Sequence, residues 1–198
     1  WRELQRLQPD IIHTHHGRDS RYLAFLSGRV PTVASLHMRY RHKDYKRHNG
    51  LICVSNWQLK TLPETFRKKS VLIPNWVCPA PAVLVEERAA LRGKLSVKED
   101  TLLFGCVGRL SAEKAPDNLV EAFQSAAIPN SHLVIFGEGE LHSSLKKQIG
   151  NAKNISLMGY EKEIRHWYGA FDVFVLPSRE ESFGLVLLEA MDAGCPIV

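Results

Sequence analysis

"VFVLPSREESFGLVLLEAMDAGCPIV", Val173 to Val198, passes from a buried-strand pattern through a polar turn into an apolar helical pattern, then back toward a strand. The helical piece runs from Phe183 to Ala193, with Gly194 as its stop and Pro196 just beyond. A strand, a helix and a further strand with no hairpin signal between them imply parallel pairing through a crossover helix. Three acids, Glu180, Glu181 and Glu189, gather around the start of that helix. Acids that serve only to solubilise a helix can sit anywhere on its wet face. Here two of them bracket the turn Ser182-Phe183-Gly184, where a helix following a parallel strand begins and where α/β sheets bind ligands.

Working outward, the same rhythm fills most of the chain. Upstream, "TLLFGCVGRL", "HLVIFGEG" and "NISLMGY" read as strands. The helices between them are "PDNLVEAFQSAA", "ELHSSLKKQI" and "KEIRHWYGA". The first of these places Leu119, Val120, Phe123, Ala126 and Ala127 on one face, with Pro116 suited to the first turn. Nearer the start, "DIIHTH", "TVASLH", "GLICVS" and "VLIPN" read as strands, with helices at "RDSRYLAFLSGR" and "NWQLKTLPETF". Between the two series the pattern lapses. "WVCPAPAV" holds two prolines and should be extended, and the charged "EERAALRGKLSV", whose pattern a helix would also suit, follows it. The expected organisation is therefore an incomplete α/β domain over residues 1–78, a linker over 79–100, and a truncated doubly wound parallel-sheet domain over 101–198. The chain starts at Trp1 and stops inside a strand-like "CPIV", so it reads as an internal fragment.

At 198 residues, 44% hydrophobic and 24% charged, the composition is that of a packed globular protein. No apolar run approaches the roughly 18 residues that span a bilayer, and no secretory signal is recognisable. The four cysteines are scattered without a CxxC pair, which reads as small buried side chains in a reducing cytoplasm. The net charge of +5 is concentrated in "RYRHKDYKRH", Arg39 to His48. That run is either a solvated face or a dock for an anionic membrane surface. No nucleic-acid fold signature accompanies it, so nucleic acid is not expected as a partner.

Three strand-to-helix junctions carry residues suited to chemistry. Gly108, Arg109 and Lys114 follow the first strand of the second series; glycine admits backbone to close range, and two cations suit a diphosphate. The spacing is not that of a Walker loop. At the second junction Gly137 and Gly139 flank Glu138, either opening a cleft floor or making a tight turn. Glu138 and Glu140 have ligand-like spacing but no evident partner. At the third, the backbone of Ser182, Phe183, Gly184 and Leu185 offers amide donors and a helix dipole to an anion. Glu181 lies in that loop. Glu189 stands about 12 Å further along the axis, where a carboxylate can accept both hydroxyls of a vicinal diol. No Asp-x-Asp motif is present, so a metal-chelated diphosphate is not indicated and no cofactor is called for.

"GRLSAEK", "LVIFGEGEL", "ISLMGY" and "LPSREESFGLVLLEAMDAGCPIV" together resemble the donor-binding domain of the retaining GT-B glycosyltransferases of family 4, the group 1 transferases. Glu181 and Glu189, separated by seven residues, match that family's signature. "PDIIHTH", "LICVSNWQLKTL" and "VLIPNWV" resemble its acceptor-side domain more loosely. The resemblance implies two Rossmann-like domains facing a cleft, both incomplete here. It also implies a nucleotide-diphosphate-sugar donor as substrate, and transfer with retention and without metal to a sugar or lipid-linked glycan acceptor. The basic run Arg39 to His48 adds the expectation of a membrane-bound acceptor, lipid-linked or of the lipopolysaccharide core, and of a cytoplasmic place at the inner face of the membrane. Arg109 and Lys114 would hold the diphosphate, Ser182 to Leu185 the distal phosphate, Glu189 the ribose and Glu181 the sugar near the reacting carbon. Ala115 departs from the glycine common after the lysine.

The histidines leave more open. Alternation puts His13 and His15 on one strand face, where they could bind metal, act as acid and base, line a cleft, or simply hydrogen-bond. The family uses a histidine hereabouts near the reacting sugar, and His15, at the strand's carboxyl end, fits best. His37 ends the next strand with a poorer claim. The rivals to a transferase are a GT-B epimerase or sugar phosphorylase, and a non-catalytic nucleotide- or glycan-binding module.

Overall fold

The computed structural model describes residues 2–23 and 29–198. The chain forms two compact α/β units, Trp1–Asn75 and Trp76–Val198, each built on a parallel sheet.

In the first unit, strands β1 (Ile12–Thr14), β2 (Thr32–Leu36), β3 (Gly50–Cys53) and β4 (Ser70–Leu72) lie side by side in sequence order. Helices α1 (Arg2–Leu7), α2 (Gly17–Leu23) and α3 (His42–Tyr45) accompany them, with α4 (Asn56–Thr61) and α5 (Glu64–Arg67) between the last two strands. The helix expected at "RDSRYLAFLSGR" is seen as α2, and residues 24–28 of that stretch lie outside the described residues. Ala34, Leu36, Tyr45, Leu51, Cys53, Leu62 and Phe66 make the core. The single helix expected over "NWQLKTLPETF" is two. Pro63 forbids the helical conformation at Leu62, which is extended (φ −66°, ψ 144°), so α4 ends and α5 starts afresh. Gln58, buried, holds this region together: its amide donates to the carbonyls of Leu36 and Met38 and accepts from the amides of Val54 and Ser55. One side chain thus fixes the carboxyl ends of β2 and β3.

The second unit begins earlier than expected. The stretch read as a linker, 79–100, contains helix α6 (Val85–Lys94), whose Leu91, with Leu95 and Val97, joins the core. The residues just before it are tied down as well. Arg165 donates to the Cys78 carbonyl and pairs with Asp192 at 2.5 Å, and Asp192 accepts the Ala80 amide at 2.8 Å. Of the charged residues of α6, Glu86, Glu87 and Lys94 are exposed, whereas Arg88 and Arg92 face inward onto Asp172. Arg92 is 1% exposed and donates to the carbonyls of Lys98 and Ala170, so its buried charge is both paired and hydrogen-bonded.

Strands β5 (Leu102–Val107), β6 (Ser131–Phe136), β7 (Ile155–Gly159) and β8 (Val173–Phe174) form the second sheet in the order β7-β6-β5-β8, all parallel. Ile197 adds a bridge beyond β8, as "PIV" led one to expect. All six residues of β6 are buried, the signature of a sheet covered on both faces. Helices α7 (Pro116–Ala126), α8 (His142–Ile149), α9 (Ile164–Tyr168) and α10 (Leu185–Asp192) supply those covers. In α7, Leu119, Val120 and Phe123 are buried, whereas Ala126 and Ala127 are exposed because the helix ends there with Ala127 left-handed. Of the cysteines, Cys53, Cys106 and Cys195 are buried, Cys78 is exposed, and all four are free.

The order β7-β6-β5-β8 contains a reversal. The chain steps from β5 outward through β6 to β7, then returns to pair β8 on the other side of β5. Loops leaving β5 and β8 therefore diverge, which opens a crevice at their carboxyl ends.

Candidate functional site

Two loops border this crevice: 108–115 after β5 and 175–184 after β8. They are joined repeatedly. The Arg179 amide donates to the Glu113 carbonyl at 2.8 Å. The Arg179 guanidinium meets the Ala112 carbonyl, the Asp117 carboxylate at 3.0 Å and Asn118 Oδ1 at 2.8 Å. Its hydrogen bonds hold the Asp117 carboxyl below the ordinary carboxylate range. Lys114 Nζ and Glu181 Oε2 stand 2.5 Å apart, and each side chain is about a quarter exposed. Glu181 Oε1 also accepts the Ser182 amide at 3.1 Å. The two residues assigned to diphosphate and sugar thus meet in one ion pair.

Helix α10 starts at Leu185, later than the Phe183 expected, because Gly184 is left-handed (φ 79°) and turns the chain into the helix. The Ser182 amide is engaged by Glu181, and the Leu187 amide by the Gly184 carbonyl. Gly184 is buried, Ser182 and Phe183 half-buried and Leu185 exposed.

Glu189 lies further along α10, half-buried, and its Oε2 accepts a 2.8 Å hydrogen bond from the Tyr168 hydroxyl. Burial and the neighbouring Glu189 carboxylate push the Tyr168 phenol well above its ordinary range. No sequence pattern pointed to Tyr168; it reaches Glu189 from a different helix.

The glycines of the second junction serve backbone packing. The Gly137 φ is 136°, and a Cβ there would fall 1.8 Å from the Gly108 carbonyl oxygen. A Cβ on Gly139 (φ 158°) would fall 2.3 Å from the Leu110 carbonyl oxygen. With the Gly108 amide donating to Phe136 and the Leu110 amide to Glu138, two loops meet as bare backbone. Beside them opens a cavity of about 320 Å³ lined by Gly108, Arg109, Gly137, Glu138, Tyr160 and Ile164, among others. Arg109 is exposed on this wall and Glu138 faces the same space. Lys114, Glu181 and Glu189 are not among its lining residues. Glu140 is exposed and outside it.

In the first unit, His13, His15 and His37 gather at the carboxyl ends of β1 and β2. His15 Nδ1 is 3.0 Å from His37 Nε2, and the rings stack at 5.3 Å. His13 contacts the His15 ring at 4.3 Å and hydrogen-bonds Ser35 Oγ at 2.9 Å. Burial, then the neighbouring His15, lowers the His13 and His37 pKa values, keeping both rings neutral to lower pH. Among the described residues no group of three or more His, Cys, Asp or Glu side chains is placed to hold a metal ion.

The basic run folds differently from a uniform charged face. Asp44, Tyr45 and His48 are buried within it, and Asp44 pairs with Arg21 and, at 3.0 Å, with Arg41. Lys43 and Lys46 point outward.

A family profile described as "Glycosyl transferases group 1" matches residues 87–198, and one described as "Glycosyltransferase Family 4" matches residues 1–80. The chain belongs to the group 1 glycosyl transferases. It is 34% identical over 206 residues to the UDP-Gal:alpha-D-GlcNAc-diphosphoundecaprenol alpha-1,3-galactosyltransferase of Escherichia coli, covering 96% of this chain and 51% of that protein. It is 32% identical over 198 residues to LpsE of Rhizobium meliloti, a lipopolysaccharide core biosynthesis glycosyltransferase, covering 98% and 56%. Among solved structures it is similar to Anabaena Alr3699/HepE in complex with UDP and glucose, with a TM-score of 0.84 at 19% identity over 99% of this chain and 60% of that one. That likeness shows the fold, GT-B, with two Rossmann-like α/β units. The chain spans about half the length of the curated relatives it matches.

Proposed function

We propose that the protein of which this chain forms part transfers a hexosyl group from a nucleotide-diphosphate-sugar to an acceptor, with retention and without a metal ion. The observation that carries the reading is the Lys114–Glu181 pair at the topological switch point of the second sheet. A diphosphate is a stronger partner for Lys114 than one carboxylate, so donor binding would take the cation and release Glu181 toward the sugar. Arg109 and the first-turn amides of α10 add positive potential on the same side.

As the glycosidic bond breaks, the anomeric carbon becomes oxocarbenium-like and negative charge grows on the leaving diphosphate. Lys114, Arg109 and the helix terminus then bind the transition state better than the ground state. Removing one such donor costs about 2.7–4 kcal/mol of barrier. Glu189 is assigned to the ribose hydroxyls. Family resemblance assigns His15 to the reacting sugar. The cavity beside Gly137 and Arg109 has the volume of a small-molecule site and is offered as the place of the nucleobase.

The relatives' names support a sugar or lipid-linked glycan acceptor, and the basic run 39–48 supports a place against an anionic membrane face. No helix among the described residues is long and apolar enough to cross a membrane. The deciding experiment is a thermal-shift and transfer screen of UDP-, GDP- and dTDP-sugars with the intact protein. Stabilisation by one nucleotide sugar, with release of its nucleotide diphosphate, supports the reading. Binding of inorganic phosphate without any nucleotide would point to a phosphorylase and defeat it.

A further inference from the structure

Tyr168 closes α9 with its ring in the core and its hydroxyl on Glu189. It is 1% exposed and packs edge-on against Phe171 and Phe174 at 5.9 and 5.3 Å. The ring cannot shift without disturbing both neighbours, so the hydroxyl is a fixed point. Glu189 is a long side chain on a half-buried helix face and would otherwise sample several rotamers. The 2.8 Å bond holds its Oε2. Among the described residues Tyr168 is its side-chain hydrogen-bond partner, and Oε1 receives none. An ionised carboxylate has about four acceptor sites. One is filled by Tyr168, which leaves Oε1 and one lone pair of Oε2 for further donors. If satisfying the phenol were the whole purpose, a neutral amide or a backbone carbonyl would serve without the cost of partly desolvating a charge.

We infer that Tyr168 is a positioning residue that presents the Glu189 carboxylate to the vicinal diol of a nucleotide ribose, and so sets the discrimination between ribo- and 2′-deoxyribonucleotides. The inference rests on the reading of Glu189 as the ribose-binding acid. A vicinal diol offers two donors side by side, and only a carboxylate held in one orientation meets both. Once freed to rotate, it would meet the 3′-hydroxyl alone about as often as the pair.

The test uses the intact protein and calorimetric titration with UDP and GDP, each beside its 2′-deoxy form. Tyr168→Phe keeps the ring contacts and removes only the hydroxyl. It is expected to raise the Kd of the ribonucleotide about three- to tenfold, the net weight of one ordinary hydrogen bond, since the variant loosens the carboxylate without removing it. It should also draw the ribo-to-deoxy affinity ratio toward one and raise the donor KM while leaving kcat at saturating donor nearly unchanged. Glu189→Gln should abolish the ratio by itself, and the double variant should add little, since both act on one contact. A Tyr168→Phe protein with a lowered Tm but an unchanged ratio would reduce Tyr168 to packing and overturn the inference. If Glu189→Gln also leaves affinity and ratio untouched, or neither nucleotide binds, the ribose assignment itself fails and the inference falls with it.

Discussion

Lys114 and Glu181 lie 67 residues apart in the chain and neutralise each other across two loops. Each could be singled out because it follows a strand end, where α/β sheets bind ligands, though a surface charge there is equally ordinary. What could not be read is that they pair, since that depends on the return of β8 to the side of β5. Tyr168 and Gln58 were invisible for the same reason: each acts across elements, and local spacing holds no trace of such reach. The pairing changes what Glu181→Gln should do. Turnover should fall by at least a hundredfold, while nucleotide-diphosphate affinity is kept or raised because the amide no longer competes for Lys114. Steady-state kinetics and titration of the same preparation check both, and a variant with wild-type turnover would remove Glu181 from the chemistry.

Arg179 acts at the scale of elements. It ties the loop that carries Glu181 to the loop that carries Lys114 and to the first turn of α7, through Asp117 and Asn118. Its own contacts are exposed, so they contribute little to global stability. Their effect is to hold two loops in register. Arg179→Ala should leave Tm within about 2 °C. It should weaken nucleotide-diphosphate binding severalfold and raise amide exchange in residues 178–184. Equal exchange in variant and wild type would mean the loops are held by backbone contacts instead. Strand and helix identity in this unit followed from periodicity, because buried parallel strands read as apolar runs, whereas the order β7-β6-β5-β8 left no local trace. Boundaries did not, because single backbone residues decided them: Pro63 split one helix, and Gly184 delayed another by two residues.

At the scale of the whole molecule, the misread segment is the instructive one. Residues 79–100 carry so many charges that composition suggests an exposed connection, yet Arg88 and Arg92 are turned inward onto Asp172. Burial alone would push the Asp172 carboxyl up. The Leu103 amide and the two guanidiniums outweigh that and hold it below its ordinary 3.8. Its contribution to stability is therefore complete above about pH 4 and is lost as the pH falls through the lower folded value. Asp172→Asn should cost on the order of 3 kcal/mol near neutrality, because buried Arg92 would keep only the exposed Glu99, 3.5 Å from its Nε, as an acidic partner. The variant's melting temperature should also fall less steeply than wild type between pH 4.5 and 3, about the carboxylate's ordinary range. Parallel curves would show that the network does not govern acid sensitivity.

The basic run belongs to this scale too, and it is less uniform than its letters suggest, since Asp44, Tyr45 and His48 turn inward. Exchanging Lys43 and Lys46 for glutamate should weaken binding to vesicles rich in anionic lipid about tenfold or more, at roughly 1 kcal/mol per lysine removed. Unchanged sedimentation with such vesicles would take the membrane out of the proposal.

The glycine seam between residues 108–110 and 137–139 has a thermodynamic corollary. A ligand settling on that floor touches main chain whose shape no rotamer can alter. Little side-chain freedom is then surrendered on contact, and that wall of the cavity should keep one contour across temperatures and occupants.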